Sequence, residues 1–151
     1  LLQIAAEEKS VPTHLSPAEM KKVVVEHFED FVNRRKAEVI QRNMTPDFVD
    51  HDGPQGKSTG IAGDETMMRA MYERMPNLRI EVLDCLAEGD KVACRNIWRW
   101  TDQASDRPMQ FHGFVLWRFE GEKIAERWAT VTVPASGSEW SLEESGKAVR
   151  S

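Results

Sequence analysis

From Leu78 onward the chain reads with a period of two. Leu78, Ile80 and Val82 are apolar at every second position, and three longer segments follow at 91–101, 109–119 and about 123–133. These segments are rich in Trp, Phe, Val and Ile, the residues that suit a half-buried pleated surface. Gly89-Asp90 and Glu120-Gly121 separate neighbours as tight turns, and 102–108 forms a polar loop. Strands joined this way make an antiparallel meander. A meander of long strands with apolar side chains must be covered, and the first half of the chain supplies the cover.

That half reads as helices. Ser16-Pro17-Ala18-Glu19 has the form of a capping box, with Ser16 as the cap and Pro17 at the first helical position. Met20, Val24, Phe28 and Phe31 follow at helical spacing, with Val23, His27 and Val32 flanking them, which predicts a helix over 17–34. A short helix at 36–43 faces Val39 and Ile40 inward and stops before Pro46. Phe48-Val49-Asp50-His51 is a short extended piece. A glycine-rich loop follows it, and then a helix at 63–75 with Met67, Met68, Met71, Tyr72 and Met75 on one face. Helices first and strands after is the pattern of an α+β domain with its helices on one face of the sheet. The organisation is a leader at 1–15, one domain at 16–133 and a tail at 134–151 that is polar apart from Trp140.

Counting outward from the turns gives the pairing. Glu88 faces Lys91, Cys85 faces Cys94, Asp84 faces Arg95 and Arg79 faces Trp100. A turn at Glu120-Gly121 sets Gly113 opposite Trp128. It also places Phe111, Val115, Trp117 and Phe119 on the same face as Glu126, Trp128, Thr130 and Thr132. The opposite face carries His112, Phe114 and Leu116. Both faces therefore hold apolar side chains, where a sheet with one wet face would alternate. The second face is expected to meet another copy of the chain, a homodimer through the sheet. Cover by the chain's own tail through Trp140 is the rival arrangement.

The 151 residues are enough for one domain with a real core. With 20 Lys and Arg against 25 Asp and Glu the net charge is −5, and no basic stripe offers itself to nucleic acid. No stretch has the ~20 apolar residues of a membrane span, no secretory leader is visible, and a cytoplasmic location is expected. Two cysteines without a C-x-x-C pattern make neither a zinc site nor a disulfide framework.

The ordered set Asp47-Phe48-Val49-Asp50-His51, Met75-Pro76-Asn77-Leu78, Glu88-Gly89-Asp90-Lys91-Val92-Ala93-Cys94-Arg95 and Arg118-Phe119-Glu120-Gly121-Glu122-Lys123-Ile124-Ala125-Glu126-Arg127-Trp128 resembles the SnoaL-like, polyketide-cyclase-like branch of the nuclear transport factor 2-like superfamily. The resemblance implies a cone of helices wrapped by a curved antiparallel sheet, a pocket inside the cone, and usually a dimer. It also implies that a catalytic Asp should stand four residues after the final Trp. That position holds Thr132, which has no pKa suited to proton abstraction near neutral pH.

His51, between two acids at the edge of the glycine-rich loop, is the first acid/base candidate. Glu126 is the second, if burial raises its pKa. Met67, Met71, Tyr72, Asn96, Trp98, Trp128 and Thr132 are the expected substrate-binding residues. Asp50-His51-Asp52 does not suit a metal, because neighbours on a strand point to opposite faces, and neither metal nor cofactor is expected. Two functions fit these features. One is a cofactor-independent cyclase, isomerase or hydratase moving protons on a hydrophobic carbonyl compound. The other is a ligand-binding or dimerisation module that kept the cone and lost the carboxylate.

Overall fold

In the computed structural model, which describes residues 11–136, three helices cover one face of a six-stranded sheet. The first helix, α1 (Pro17–Phe28), begins at the predicted Ser16 cap, the one bond of the capping box that is found. Ser16 Oγ accepts from Glu19 N at 3.1 Å, and Met20, Val24, His27 and Phe28 are its buried residues. The expected helix to residue 34 is continuous in direction but not in winding: Glu29–Asn33 forms one wider turn. This turn aims Asn33 at the sheet, where its amide donates to Ile80 O and its carbonyl oxygen accepts from Ile80 N. The second helix, α2 (Val39–Asn43), is shorter than expected. It passes directly into strand β1 (Met44–Asp50), which contains Pro46. A proline is tolerated there because β1 is an edge strand. The third helix, α3 (Ile61–Arg74), starts two residues earlier than its apolar pattern suggests.

The meander is β2 (Arg79–Glu88), β3 (Lys91–Thr101), β4 (Pro108–Glu120) and β5 (Lys123–Val131), and the strand order is β1-β5-β4-β3-β2. β1 lies parallel to β5 and brings the loop after residue 50 against the end of the meander. A two-residue strand, β6 (Ala135–Ser136), pairs with Met109 and Gln110, so the start of the expected tail joins the sheet. Trp140 lies outside the described residues. Thr13 Oγ1 donates to Gly121 O, tying residues 11–15 to the β4–β5 turn.

The β2–β3 register agrees with the sequence count from Glu88–Lys91 to Asp84–Arg95, and the thiols of Cys85 and Cys94 lie 3.1 Å apart. An irregularity between Val82 and Asp84 then shifts the pairing, so Arg79 faces Arg99 and not Trp100. The β4–β5 register departs further. The turn is Gly121-Glu122, with Glu120 opposite Lys123, and the register shifts again between Arg118 and Phe119. Gly113 consequently faces Val131, and Trp128 faces Leu116. The turn displaces the pairing by two and keeps each side chain on its face, so Ile124 stays inside beside Phe119; the further one-residue shift makes the displacement odd, and from Glu126 onward every β5 side chain lies on the face opposite to the one expected. Arg127 and Ala129 turn toward the helices beside Trp117 and Val115, while Glu126, Trp128 and Thr130 turn outward beside Arg118, Leu116 and Phe114. Gly113 makes room for Asn96 and not for an indole of β5: a Cβ there would stand 2.5 Å from Asn96 Oδ1.

The core between helices and sheet contains Met20, Val24, Val32, Ile40, Met44, Met68, Trp117, Phe119 and Ile124, all nearly inaccessible. Among the described residues no helix is long and apolar enough to cross a membrane.

Candidate functional site

A cavity of about 180 Å³ lies between the helices and the inner face of the sheet. Its apolar wall includes Phe31 from the end of the first helical stretch, Met67, Met68 and Met71 from α3, and Trp98 and Phe111 from the sheet. Three wider grooves, of about 650, 620 and 520 Å³, run over the surface, but none gathers buried ionisable groups. The inner cavity does: buried Asp50, Asp64 and His27 line it, together with the partly buried Arg127.

Each arrives by a local structural reason. Asp50 ends β1, and its backbone exchanges hydrogen bonds with Thr59 at 2.8 and 2.9 Å. Gly63 lets the first turn of α3 rest on that bridge, since a Cβ there would lie 1.8 Å from Thr59 Oγ1. The contact sets Asp64 beside Asp50. Arg127 comes from β5, where His51 N donates to Arg127 O at 2.9 Å and locks β1 to β5.

Asp50 is fully buried. Its two carboxylate oxygens accept from Arg127 Nη1 at 2.9 and 2.8 Å, and Asp50 Oδ1 also accepts from Asp52 N at 3.0 Å. Asp64 is 4% exposed. Burial first, and then the Asp50 carboxylate beside it, raise its pKa to about 8 against a smaller opposing pull from Arg127. At neutral pH Asp64 is therefore a neutral acid, standing beside the Asp50–Arg127 ion pair. Asp64 Oδ1 has no hydrogen-bond partner. His27 is buried, and desolvation together with Arg127 lowers its pKa to about 3, so the ring is neutral. Its Nδ1 accepts from Asn43 Nδ2 at 3.0 Å, which leaves the ring proton on Nε2. Trp117 stands edge-on to His27 and beneath the Arg127 guanidinium, and its Nε1 has no partner.

The expected site residues divide between the two faces. Met67, Met71 and Trp98 line the cavity. Asn96 is buried on the same face, where its Oδ1 accepts from Trp98 Nε1 at 2.9 Å. Tyr72 is turned away to donate its hydroxyl proton to Phe31 O. Thr132 Oγ1 accepts from His112 N at 2.9 Å, so it secures backbone.

His51, Glu126 and Trp128 lie on the outer face, outside the cavity, because of the β5 register. There His51 Nε2 is 2.7 Å from Glu126 Oε2, Arg118 Nε donates to Glu126 Oε1 at 2.6 Å, and Trp128 stacks on the His51 ring at 4.8 Å. Burial pushes the Glu126 carboxyl up, but the hydrogen bonds from His51 and Arg118 outweigh it and the net shift is downward. The raised pKa expected of a buried Glu126 base is thus replaced by a carboxylate held ionised.

Asp64 was legible in principle. It falls at i, i+3, i+4 and i+7 with Met67, Met68 and Met71, a carboxylate on an apolar stripe. Arg127 was not legible, because its face depends on a register shift with no local signature.

The family model of the SnoaL-like polyketide cyclases matches residues 22–133. Among solved structures, AclR from Streptomyces galilaeus, described as a candidate hydroxylase, is 25% identical; the match covers 77% of this chain and 80% of that one, with a TM-score of 0.69. A candidate polyketide cyclase from Bacillus cereus is also 25% identical, with 82% and 85% covered and a TM-score of 0.67. TsrD from Streptomyces laurentii, at 17% identity, covers 78% and 91% with a TM-score of 0.68 and shares the fold. No functionally curated protein sequence matches the chain.

Proposed function

The chain belongs to the SnoaL-like polyketide cyclase family, and from that premise we propose that it moves protons on a small hydrophobic carbonyl compound held in the inner cavity. Asp64 is the proton carrier. The observation that carries this reading is a carboxylic acid, buried beside a second carboxylate so that its pKa rises to about 8, at the polar end of a chamber whose remaining walls are mostly apolar. Arg127 is a positioning residue: its ion pair fixes the Asp50 carboxylate beside Asp64, where Asp50 can act as the proton acceptor. Asp64 gives its proton to the carbonyl oxygen as charge develops there while the Asp50 carboxylate takes the proton leaving the α-carbon, and reversal of both transfers, after exchange with solvent, returns the ketone.

Exchange of α-hydrogens of cyclohexanone for deuterium, followed by proton NMR in heavy water, tests the proposal. Wild-type protein should accelerate exchange over buffer, with the rate falling as pH rises past about 8, where Asp64 loses its proton. Asp64→Asn should reduce the acceleration at least ~100-fold, the lower end of the effect of a general acid or base. A folded Asp64→Asn protein within twofold of wild type overturns the role of Asp64. Wild-type protein without acceleration favours a second reading, a ligand-binding module, which is supported by Thr132 bonding to backbone in place of an acid.

For the outer face we propose cover by a second copy. Leu86 is 73% exposed and Phe114 61% exposed beside Leu116 and Trp128. Flanking pairs of both signs, Asp84–Arg95 and Glu81–Arg99, let the surface match itself across a two-fold axis. Sedimentation at micromolar concentration should give a dimer mass for wild type and a monomer for Phe114→Glu; a wild-type monomer removes the proposal.

A further inference from the structure

We infer that the inner cavity takes a compact, uncharged, single-ring compound bearing one carbonyl or hydroxyl oxygen, and rejects both anions and fused polycycles. This rests on the reading that the cavity is the ligand site, but not on turnover. Three observations carry it, and each restricts a different property of the ligand.

Size comes first. An apolar cavity of about 150 Å³ is enough to hold benzene, whereas pockets for drug-sized ligands run from about 300 Å³ upward. At about 180 Å³ the chamber holds one ring with a short substituent. The walls that set this limit are themselves core: Phe31, Met68 and Trp117 are all buried, so widening the chamber for a second fused ring means displacing packed side chains.

Charge comes second. The interior is already balanced. Asp50 neutralises Arg127, Asp64 is protonated at neutral pH, and His27 is neutral. The exposed cavity-lining residues Asp52 and Val131 mark the mouth, and Asp52 places a negative charge there. A carboxylate ligand would pass this charge and then lie buried without a counter-ion. A cation would find Asp50 already committed to Arg127. Burying an unpaired charge is expensive in either case.

Polarity comes third. Two residues that line the cavity each carry a buried polar atom with no partner in the protein, Trp117 Nε1 and Asp64 Oδ1. Indole N–H is only a donor, so it requires an acceptor. The acid oxygen is satisfied by an oxygen that can accept its proton or by a hydroxyl that donates to it. One oxygen substituent on a small ring fills the apolar chamber and supplies what these atoms lack. Buried groups of this kind are rare, and each calls for a partner, which a ligand oxygen can supply.

Four probes separate the properties: acetophenone, ethylbenzene as its near-isostere without oxygen, benzoate as its anionic counterpart, and 9-fluorenone as a tricyclic ketone. Binding is measured on the full chain by NMR, following the indole N–H resonances. Acetophenone should bind about tenfold more tightly than ethylbenzene, the value of one satisfied buried donor. Benzoate and fluorenone should not saturate the site. The Trp117 N–H resonance of wild-type protein should shift with acetophenone and stay in place with ethylbenzene, a readout that needs no variant. Trp117→Phe, if folded, should shrink the preference for acetophenone to within about threefold.

Equal binding of ethylbenzene and acetophenone overturns the inference, as does tight binding of benzoate or fluorenone, or no binding of acetophenone. Acetophenone binding as expected without any cyclohexanone exchange leaves this inference standing and removes the proposed proton transfer. Exchange by a protein that also takes up fluorenone or benzoate does the reverse.

Discussion

The two faces of the sheet near the β1–β5 seam carry nearly the same chemistry and hold it in different states. Asp50 and Arg127 face inward; His51 and Glu126, their immediate chain neighbours, face outward. Each pair joins a carboxylate to a cationic or ionisable nitrogen group at 2.7–2.9 Å. Inside, the Asp50 side chain is 1% exposed and its neighbour Asp64 is forced to keep a proton. Outside, His51 and Glu126 are 35% and 26% exposed and a second donor, Arg118, keeps Glu126 ionised. Residue type therefore does not decide which cluster can do acid/base work. Burial beside a second carboxylate creates a neutral acid; partial exposure with two donors creates a structural ion pair.

The largest expected effect is on the inner pair. Asp50→Asn leaves the partly buried Arg127 guanidinium against a neutral amide, and because only Asp50 is fully buried the loss should approach, without exceeding, the ~3–5 kcal/mol of breaking a wholly buried pair. Urea unfolding measures it, and a loss under about 1 kcal/mol would show that water reaches the seam and that the two faces are alike.

The next effect is on pH dependence. The folded pKa of Asp64, about 8, lies above its ordinary 3.8. Its contribution to stability is whole below the lower value, declines as pH rises, and is gone above about 8. His27 acts in the opposite sense. Its folded pKa of about 3 lies below the ordinary 6.5, so its contribution is present above 6.5 and lost as pH falls toward 3. Between about 4 and 6.5 the two trends oppose one another, and between 6.5 and 8 that of Asp64 acts alone of the two. Thermal or urea unfolding should therefore show stability falling from pH 6.5 to 8 in wild type and a flatter profile in Asp64→Asn. An unchanged slope in the variant would place the raised pKa on another group.

The smallest effect belongs to the outer cluster. His51→Ala and Glu126→Gln should each cost ~0–1 kcal/mol and leave ketone exchange within twofold of wild type. A large loss of exchange in either, with the fold intact, would move the chemistry to the outer face and reverse the comparison.

Much of the architecture is legible from the amino acids. The helix cap at Ser16, the methionine face of α3 and the turn at Gly89-Asp90 each depend on residues a few positions apart, and each is found where its local pattern puts it. The site is less legible. Met67, Met71 and Trp98 follow from apolar periodicity. Asp50 and Asp64 meet only because Gly63 lets a helix rest on a strand. His51 looks like the acid/base residue from its acidic neighbours alone, yet it stacks on Trp128 outside the cavity.

The sequence by itself determined which segments are helices and which are strands, their order, and the family they belong to. Local periodicity, capping and turn chemistry carry that information. Only the tertiary structure decided which β5 side chains enter the cavity. Strand side chains alternate in direction, so an odd displacement in pairing turns over the strand beyond it. Here the placement of the turn at Gly121-Glu122 left the faces as they were, and the one-residue shift near Phe119 brought Arg127 in and sent Glu126 and Trp128 out.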